Sequence, residues 1–331
     1  MDDPLIYVRA IHFAATLVVA GIVFFVVFIA EPAFAKAESE ARLPATVRPP
    51  LAWLAWISLV LTAASGFAWF VLVAASMSER PAAEVFSEGI LWVVLLQTDF
   101  GRAWLIRALL VVLLAAVFAF ALTTKPKHSV TIWLNVIAVA MAAGLVGLVA
   151  WGGHAAGGAG AEGVVHPAAD LLHLTAAAAW VGALLPLALL LGRAGRDAGS
   201  IAIARTATLR FSVLGLASVA TLLITGLVNA FYLVGSVAAL LDTDYGRLLA
   251  VKVALFVVMV AIAASNRFRL TPELVPDATL APARQVLRRL RRNAVVEIVL
   301  GAVIIAIVAK LGVTPPAFEQ ETMPHTHHHA H

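Results

Sequence analysis

Residues 5–30 read LIYVRAIHFAATLVVAGIVFFVVFIA, an apolar run broken by Arg9, His12 and Thr16. A helix rises about 1.5 Å per residue, so about 20 residues cross the roughly 30 Å hydrocarbon core of a bilayer. The run is long enough to span. It is too long for the apolar core of a secretory signal, about 7–15 residues, and its start is acidic (Asp2, Asp3) rather than basic. The small residues of AFAKA (33–37) resemble a cleavage site, but the stretch reads as a retained span.

Seven further runs have similar length, at about 50–75, 103–122, 130–151, 168–191, 211–234, 248–264 and 294–311. Backbone polar groups in hydrocarbon must be satisfied within the segment, so all eight are read as helices. Pro186 should kink the fifth. Residues 85–96 are apolar but too short to span. Composition agrees: of 331 residues 62% are apolar and 13% charged, with mean hydropathy +0.96. A water-soluble domain carries about 25% charged residues. The fold class is an all-α integral membrane protein.

Most of the 23 lysines and arginines fall in the loops after the first, third, fifth and seventh helices, including Lys36, Arg42, Lys125, Arg196 and the RRLRRN run from Arg288. The positive-inside rule places that side in the cytoplasm and both termini in the periplasm. The net charge of +4 is thus a topology signal rather than a nucleic-acid footprint. RRLRRN reads as an anchor against anionic lipid. With no cysteine, disulfides, thiolate metal sites and cysteine catalysis are excluded.

An internal repeat organises the chain. TDFGRAWLIRALL (Thr98–Leu110) matches TDYGRLLAVKVAL (Thr243–Leu255), pairing Asp99 with Asp244, Arg102 with Arg247, and Arg107 with Lys252. Upstream, His12 precedes Gly21 as His173 precedes Gly182, and Ser65-Gly66 matches Thr225-Gly226. The eight helices therefore read as two parallel four-helix repeats. Residues 1–128 hold the first three helices of the first repeat and 129–152 its fourth. Residues 153–167 form a Gly/His-rich outer loop, 168–316 the second repeat, and 317–331 a His-rich tail.

Ionisable residues inside a span are costly and point to function. His12 and His173 lie inside the first and fifth helices; His154 follows the fourth and His166 precedes the fifth, so four imidazoles gather near the outer face. Neutral imidazole ligates copper, zinc, iron or nickel; the bland reading is a hydrogen bond to a neighbouring helix. In the TD(F/Y)GR motif, Thr or Asp caps a helix and Arg snorkels. That leaves Arg107 and Lys252, deeper in their helices, without an assigned partner. Asn266-Arg267 and Glu297 are candidates for an ion pair between the last two helices. Trp53, Trp56, Trp92, Trp104, Trp133, Trp151 and Trp180 read mostly as interfacial belt residues. The tail carries His325, His327, His328, His329 and His331 with Met323, a metal-collecting composition unless it is a purification tag.

The second half resembles the CopD copper-resistance family of bacterial inner membranes. The likeness rests on DLLHLTAAAAWVGALLPLALLL, on RFSVLGLASVATLLITGLVNAFYLVGSVAALLDTDYGRLLAVKVALF, on NRFRL, and on the Arg-rich approach to a last helix ending in PP. It covers about residues 166–316, more weakly the first half. The resemblance implies eight helices and copper uptake across the inner membrane, with His173 and His154 as family positions and a separate periplasmic copper carrier as partner. Only five methionines are present, so no methionine ladder crosses the membrane. Two alternatives stand beside a copper permease. One is a haem-binding redox protein, since a histidine in the first helix also looks like HemJ-type protoporphyrinogen oxidases. The other is a membrane copper chaperone or assembly factor. No Gly-Lys-Ser/Thr nucleotide loop and no Gly-x-Ser-x-Gly motif occurs, so the chain reads as a non-enzyme without visible ATP coupling.

Overall fold

The computed structural model describes residues 3–35, 42–87, 89–124, 128–150, 162–234, 237–274 and 280–316. Among them there is no strand, and eight helices are long and apolar enough to cross a membrane. Counted one to eight, they run Pro4–Ala35, Leu43–Ser78, Asp99–Thr123, Ser129–Val149, Val165–Arg193, Ala198–Leu233, Asp244–Glu273 and Leu280–Leu311. The chain is a multi-pass helical membrane protein. The end at which odd-numbered helices begin is called the N-terminal face here, and the other the arginine-rich face.

Helices one and five form the centre, with 72% and 67% of their most apolar stretches buried, against 11% and 6% for helices three and seven at the periphery. The central pair is in backbone contact. A Cβ on Gly21 would land on the backbone of Gly182, and one on Gly182 would land on the carbonyl of Leu17. Such an approach needs glycine on both helices, and it replaces side-chain packing with close backbone dispersion. Around it pack Ala20, Val23 and Phe24 of helix one with Ala178 and Ala179 of helix five.

The N-termini of helices three and seven are built alike. Thr98 Oγ1 accepts from the Gly101 amide at 2.9 Å, and Thr243 Oγ1 accepts from Gly246 at 3.0 Å. Threonine is thus the cap and the following aspartate the first-turn acid, which suits the helix dipole. Gly101 and Gly246 each lie against backbone carbonyls of the preceding short helix, Ile90–Gln97 or Val237–Asp242. The apolar stretch 85–96 accordingly forms parts of two short helices, Ala82–Ser87 and Ile90–Gln97, rather than a span.

Several expectations change. Helices two, six and eight start well before their apolar runs, at Leu43, Ala198 and Leu280. In the eighth, Ala283, Val286, Leu287 and Leu290 are buried at helical spacing while Arg288, Arg289, Arg291 and Arg292 are exposed, so an amphipathic segment continues the span. Helix five begins early enough to contain His166, which is therefore not in a loop. Pro186 follows a π-helical turn, Ala178–Gly182; the carbonyl its ring must avoid is that of Gly182, the last residue of that widened turn. Trp180 is 1% exposed, a core residue and not part of the belt, whereas Trp53, Trp92 and Trp133 are exposed to the lipid side.

The crossing yields a test. Gly21→Leu should lower the melting temperature of the detergent-purified protein, or abolish its monodisperse peak, at a cost of about 1–3 kcal/mol or more. Gly144→Ala, whose Cβ would meet only Leu110 Cδ1 at 3.5 Å, should behave as the parent in the same scan.

Candidate metal site

Each half sets one histidine against the hydroxyl of its second helix. His12 Nδ1 is 3.1 Å from Ser65 Oγ, and Ser65 donates its own proton to the Leu61 carbonyl. The hydroxyl oxygen must then accept from His12, which puts the imidazole proton on Nδ1. His173 Nδ1 lies 2.9 Å from Thr225 Oγ1, whose proton goes to the Thr221 carbonyl at 2.7 Å. The next residue is glycine in both places, and it lies under the ring: a Cβ would be 3.1 Å from His12 Cε1 at Gly66 and 3.7 Å from His173 Cε1 at Gly226. In both rings Nε2 is left with its lone pair.

The use of that lone pair differs. His12 Nε2 accepts from Arg107 Nη2, with Thr16 Oγ1 also 3.5 Å away. This supplies the partner that the sequence left open for Arg107. The guanidinium of Arg107 sits over the Trp69 ring at 4.8 Å and that of Arg9 at 5.2 Å, while the His12 ring is tilted on Trp69 at 5.5 Å. Arg9, His12, Trp69 and Arg107 are all buried. Arg9 also reaches Gly312 at the end of helix eight, where the helix presents its negative pole. The first half therefore holds a buried cationic and aromatic cluster.

In the second half, Lys252 replaces Arg107 and lies within electrostatic range of both His173 and Asp170. Asp170 Oδ1 accepts from Asn229 Nδ2 at 2.6 Å, and its Oδ2 is 3.7 Å from His166 Nε2. His166 stacks on Tyr232, centroids 5.2 Å apart at 17°. Two buried atoms here, His166 Nε2 and Asn229 Oδ1, have no hydrogen-bond partner. His166, Asp170 and His173 share one face of helix five by their i, i+4, i+7 spacing.

The two halves thus differ in charge at matched positions. The step of 161 residues that takes His12 to His173 takes Arg9 to Asp170 and Leu5 to His166. The step that takes Ser65 to Thr225 takes Trp69 to Asn229. Asp170, Asn229, Tyr232, Arg9 and Trp69 were not singled out from sequence. The HxxxD spacing at His166 and Asp170 is the signal that could have found the first, once helix five is extended to include it.

Other predicted positions lie elsewhere. Asp99 and Arg102 form an exposed pair at 2.8 Å, and exposed Arg247 donates from Nε to the Leu241 carbonyl at 3.1 Å. Asp244 is exposed. Arg267 does not pair with Glu297: its Nη1 donates to Ser212 Oγ at 2.6 Å, while Asn266 Nδ2 donates to Glu297 Oε1 at 3.0 Å. His154, Trp151, Met323 and the tail histidines 325, 327, 328, 329 and 331 lie outside the described residues. Among the described residues no three His, Cys, Asp or Glu side chains gather at metal-holding distance.

These features define a multi-pass helical membrane protein with histidines and charged side chains buried within its helices. Residues 205–311 match the family described as Copper resistance protein D, and residues 1–165 match Copper resistance protein D-like, N-terminal domain. The chain is 31% identical to Copper resistance protein D of Pseudomonas syringae pv. tomato, over 96% of this chain and 99% of that one. It is 31% identical to copper transport protein CutJ of Bacillus subtilis (strain 168), over 77% of this chain and 44% of CutJ. To inner membrane protein YebZ of Escherichia coli (strain K12) it is 32% identical, over 70% and 74% of the two chains. The chain belongs to the copper resistance protein D family, a family of copper resistance and transport membrane proteins.

The cluster around Trp69 should be structural as well as electrostatic. Trp69→Ala should destabilise the detergent-purified protein by about 3–5 kcal/mol, the usual cost of removing a buried aromatic, and Trp69→Phe by clearly less. A melting-temperature series on the two variants decides it.

Proposed function

We propose that this protein carries copper across the bacterial inner membrane, loading it from the periplasm at His166 and Asp170 in the second half and passing it on towards His173. The observation that carries the reading is the pair of unsatisfied atoms beside Asp170: His166 Nε2 and Asn229 Oδ1, both buried and unpartnered. Buried polar atoms without partners are rare and costly. With a metal–nitrogen or metal–oxygen bond near 2.0–2.2 Å, two ligand atoms of one ion lie about 3–4 Å apart. The 3.7 Å between His166 Nε2 and Asp170 Oδ2 fits that spacing. An imidazole, a carboxylate and an amide oxygen suit divalent copper better than the monovalent ion, which prefers sulfur. His173, two turns below His166, offers the next Nε2.

His12 takes part only if Arg107 leaves its Nε2, so the first half acts chiefly as a cation-repelling wall and scaffold. The matched caps, histidine–hydroxyl pairs and Gly21–Gly182 contact support the division into two parallel four-helix repeats. His154 and the tail histidines, with Met323, would gather copper at the same face, where a periplasmic carrier would deliver it. The chain works as a carrier without covalent chemistry. If it instead holds copper as a chaperone or assembly factor, the purified protein binds the ion yet passes none into vesicles.

Isotopic copper uptake into proteoliposomes tests the assignment. Asp170→Asn and His166→Ala should each lower the initial rate about tenfold or more, while His12→Ala should retain most of it. Equal loss in all three variants would overturn the second-half assignment. Orientation is checked separately in intact cells, because the chain has no native cysteine. A cysteine at Ser87 should react with an impermeant maleimide and one at Asp197 should not.

A further inference from the structure

Below Trp180, towards the arginine-rich face, helices five to eight line a partly open cavity of about 250 Å³. Its walls are mostly apolar, from Leu184, Leu187, Phe211, Val219 and Val260. Glu297 of helix eight lines it and is 1% exposed. One carboxylate oxygen, Oε1, accepts from Asn266 Nδ2 at 3.0 Å; Asn266 is itself held by Asn293, whose Nδ2 donates to Asn266 Oδ1 at 2.7 Å. The other oxygen, Oε2, is buried and has no partner. The amide chain fixes the carboxyl group and leaves one oxygen free for something else.

The surroundings limit what that is. Arg267 is the charged side chain sharing the cavity, and its guanidinium is committed to Ser212 and lies over the Phe268 ring at 5.7 Å. Helix five contributes Trp180 and leucines, and helix six contributes Thr208 and Ser212, none of which titrates near neutrality. On helix eight, Arg291 turns to Gly192 of helix five. A carboxylate buried in hydrocarbon with a single amide contact requires an accompanying positive charge. A dehydrated metal ion needs about four or more nitrogen, oxygen or sulfur ligands. Among the residues lining this cavity Glu297 is the one carboxylate, with no histidine or methionine beside it, so the lining does not suit copper, whereas a proton needs only the free oxygen.

The position on the route matters too. Asp170, His173 and Trp180 of helix five all face helix six, meeting Asn229, Thr225 and Gly215 in turn, and Trp180, Leu184 and Leu187 line the cavity below. The copper-loading site and Glu297 are therefore on the same side of helix five, with Trp180 between them. We propose that Glu297 is a proton-binding residue: Oε2 exchanges a proton with water at the arginine-rich face, and its protonation state, set by the pH on that side, is coupled to copper movement. The coupling rests on the transport reading above; the proton site does not.

The test uses the full chain and Glu297→Gln, in which the new amide oxygen still accepts from Asn266, so folding is retained. Infrared difference spectra between acid and alkaline buffer, on protein in lipid nanodiscs, should show a protonated carboxylic acid band that is lost in E297Q and kept in D170N. In proteoliposomes, an imposed pH gradient should change the copper uptake rate of the parent several-fold and leave E297Q unmoved. An unchanged infrared band in E297Q overturns the proton site. A lost band with uptake in the parent indifferent to the gradient overturns the coupling. A lost band in a parent that moves no copper supports the proton site and refutes the transport reading instead.

Discussion

Helices one and five meet backbone to backbone at Gly21 and Gly182, and the placement of everything else depends on that approach. In lipid the hydrophobic effect does not draw helices together, so close packing must do so, and only glycine lets two backbones come this near. The contact fixes the central pair. Helices two and six can then bring Ser65 and Thr225 to His12 and His173, while helices three and seven, capped at Thr98 and Thr243, bring Arg107 and Lys252. A side chain at either glycine would part the central helices and disturb both histidine environments together.

On this common frame the two halves carry opposite chemistry. Arg9, Arg107, Trp69 and Phe13 make the first half a closed cationic and aromatic cluster, held by stacking and by the end of helix eight. Asp170, Asn229, His166 and Tyr232 make the second half acidic and hydrogen-bonding, with atoms left unsatisfied. A buried charge survives in a bilayer only with compensation. In the first half the compensation comes from π-faces and a helix terminus. In the second it comes from Lys252 and from the Asn229 amide that donates to Asp170. The same logic separates Glu297, a buried residue that lines a cavity with one oxygen lacking a hydrogen bond, from the exposed Asp99–Arg102 pair, which is solvated and worth little.

Length and hydropathy determined that the chain spans a membrane eight times as helices, because hydrocarbon admits few other structures for apolar segments of about 20 residues. The sequence also disclosed the paired positions His12 and His173, Ser65 and Thr225, and Arg107 and Lys252, since identical or similar residues recur at offsets of 161, 160 and 145 residues in the same order. Helix starts were less legible: the amphipathic turns before helices two, six and eight carry charge, so hydropathy alone starts the helix too late. His166 was misplaced for this reason, and with it the stripe it shares with Asp170.

What the tertiary structure alone decided was which polar group meets which. Arg107 finding His12, Arg267 choosing Ser212 over Glu297, and Trp180 sitting in the core rather than the belt all depend on the rotation of each helix about its axis. Rotation is set by packing against neighbours, chiefly the Gly21–Gly182 crossing, and a single helix's sequence does not encode it. The difference between the halves lies in the same place. Asp170 and Arg9 are ordinary charged residues near helix ends in the sequence, and only folding makes one part of a hydrogen-bonded cluster with Asn229 and His166 and the other part of a cationic and aromatic cluster around Trp69.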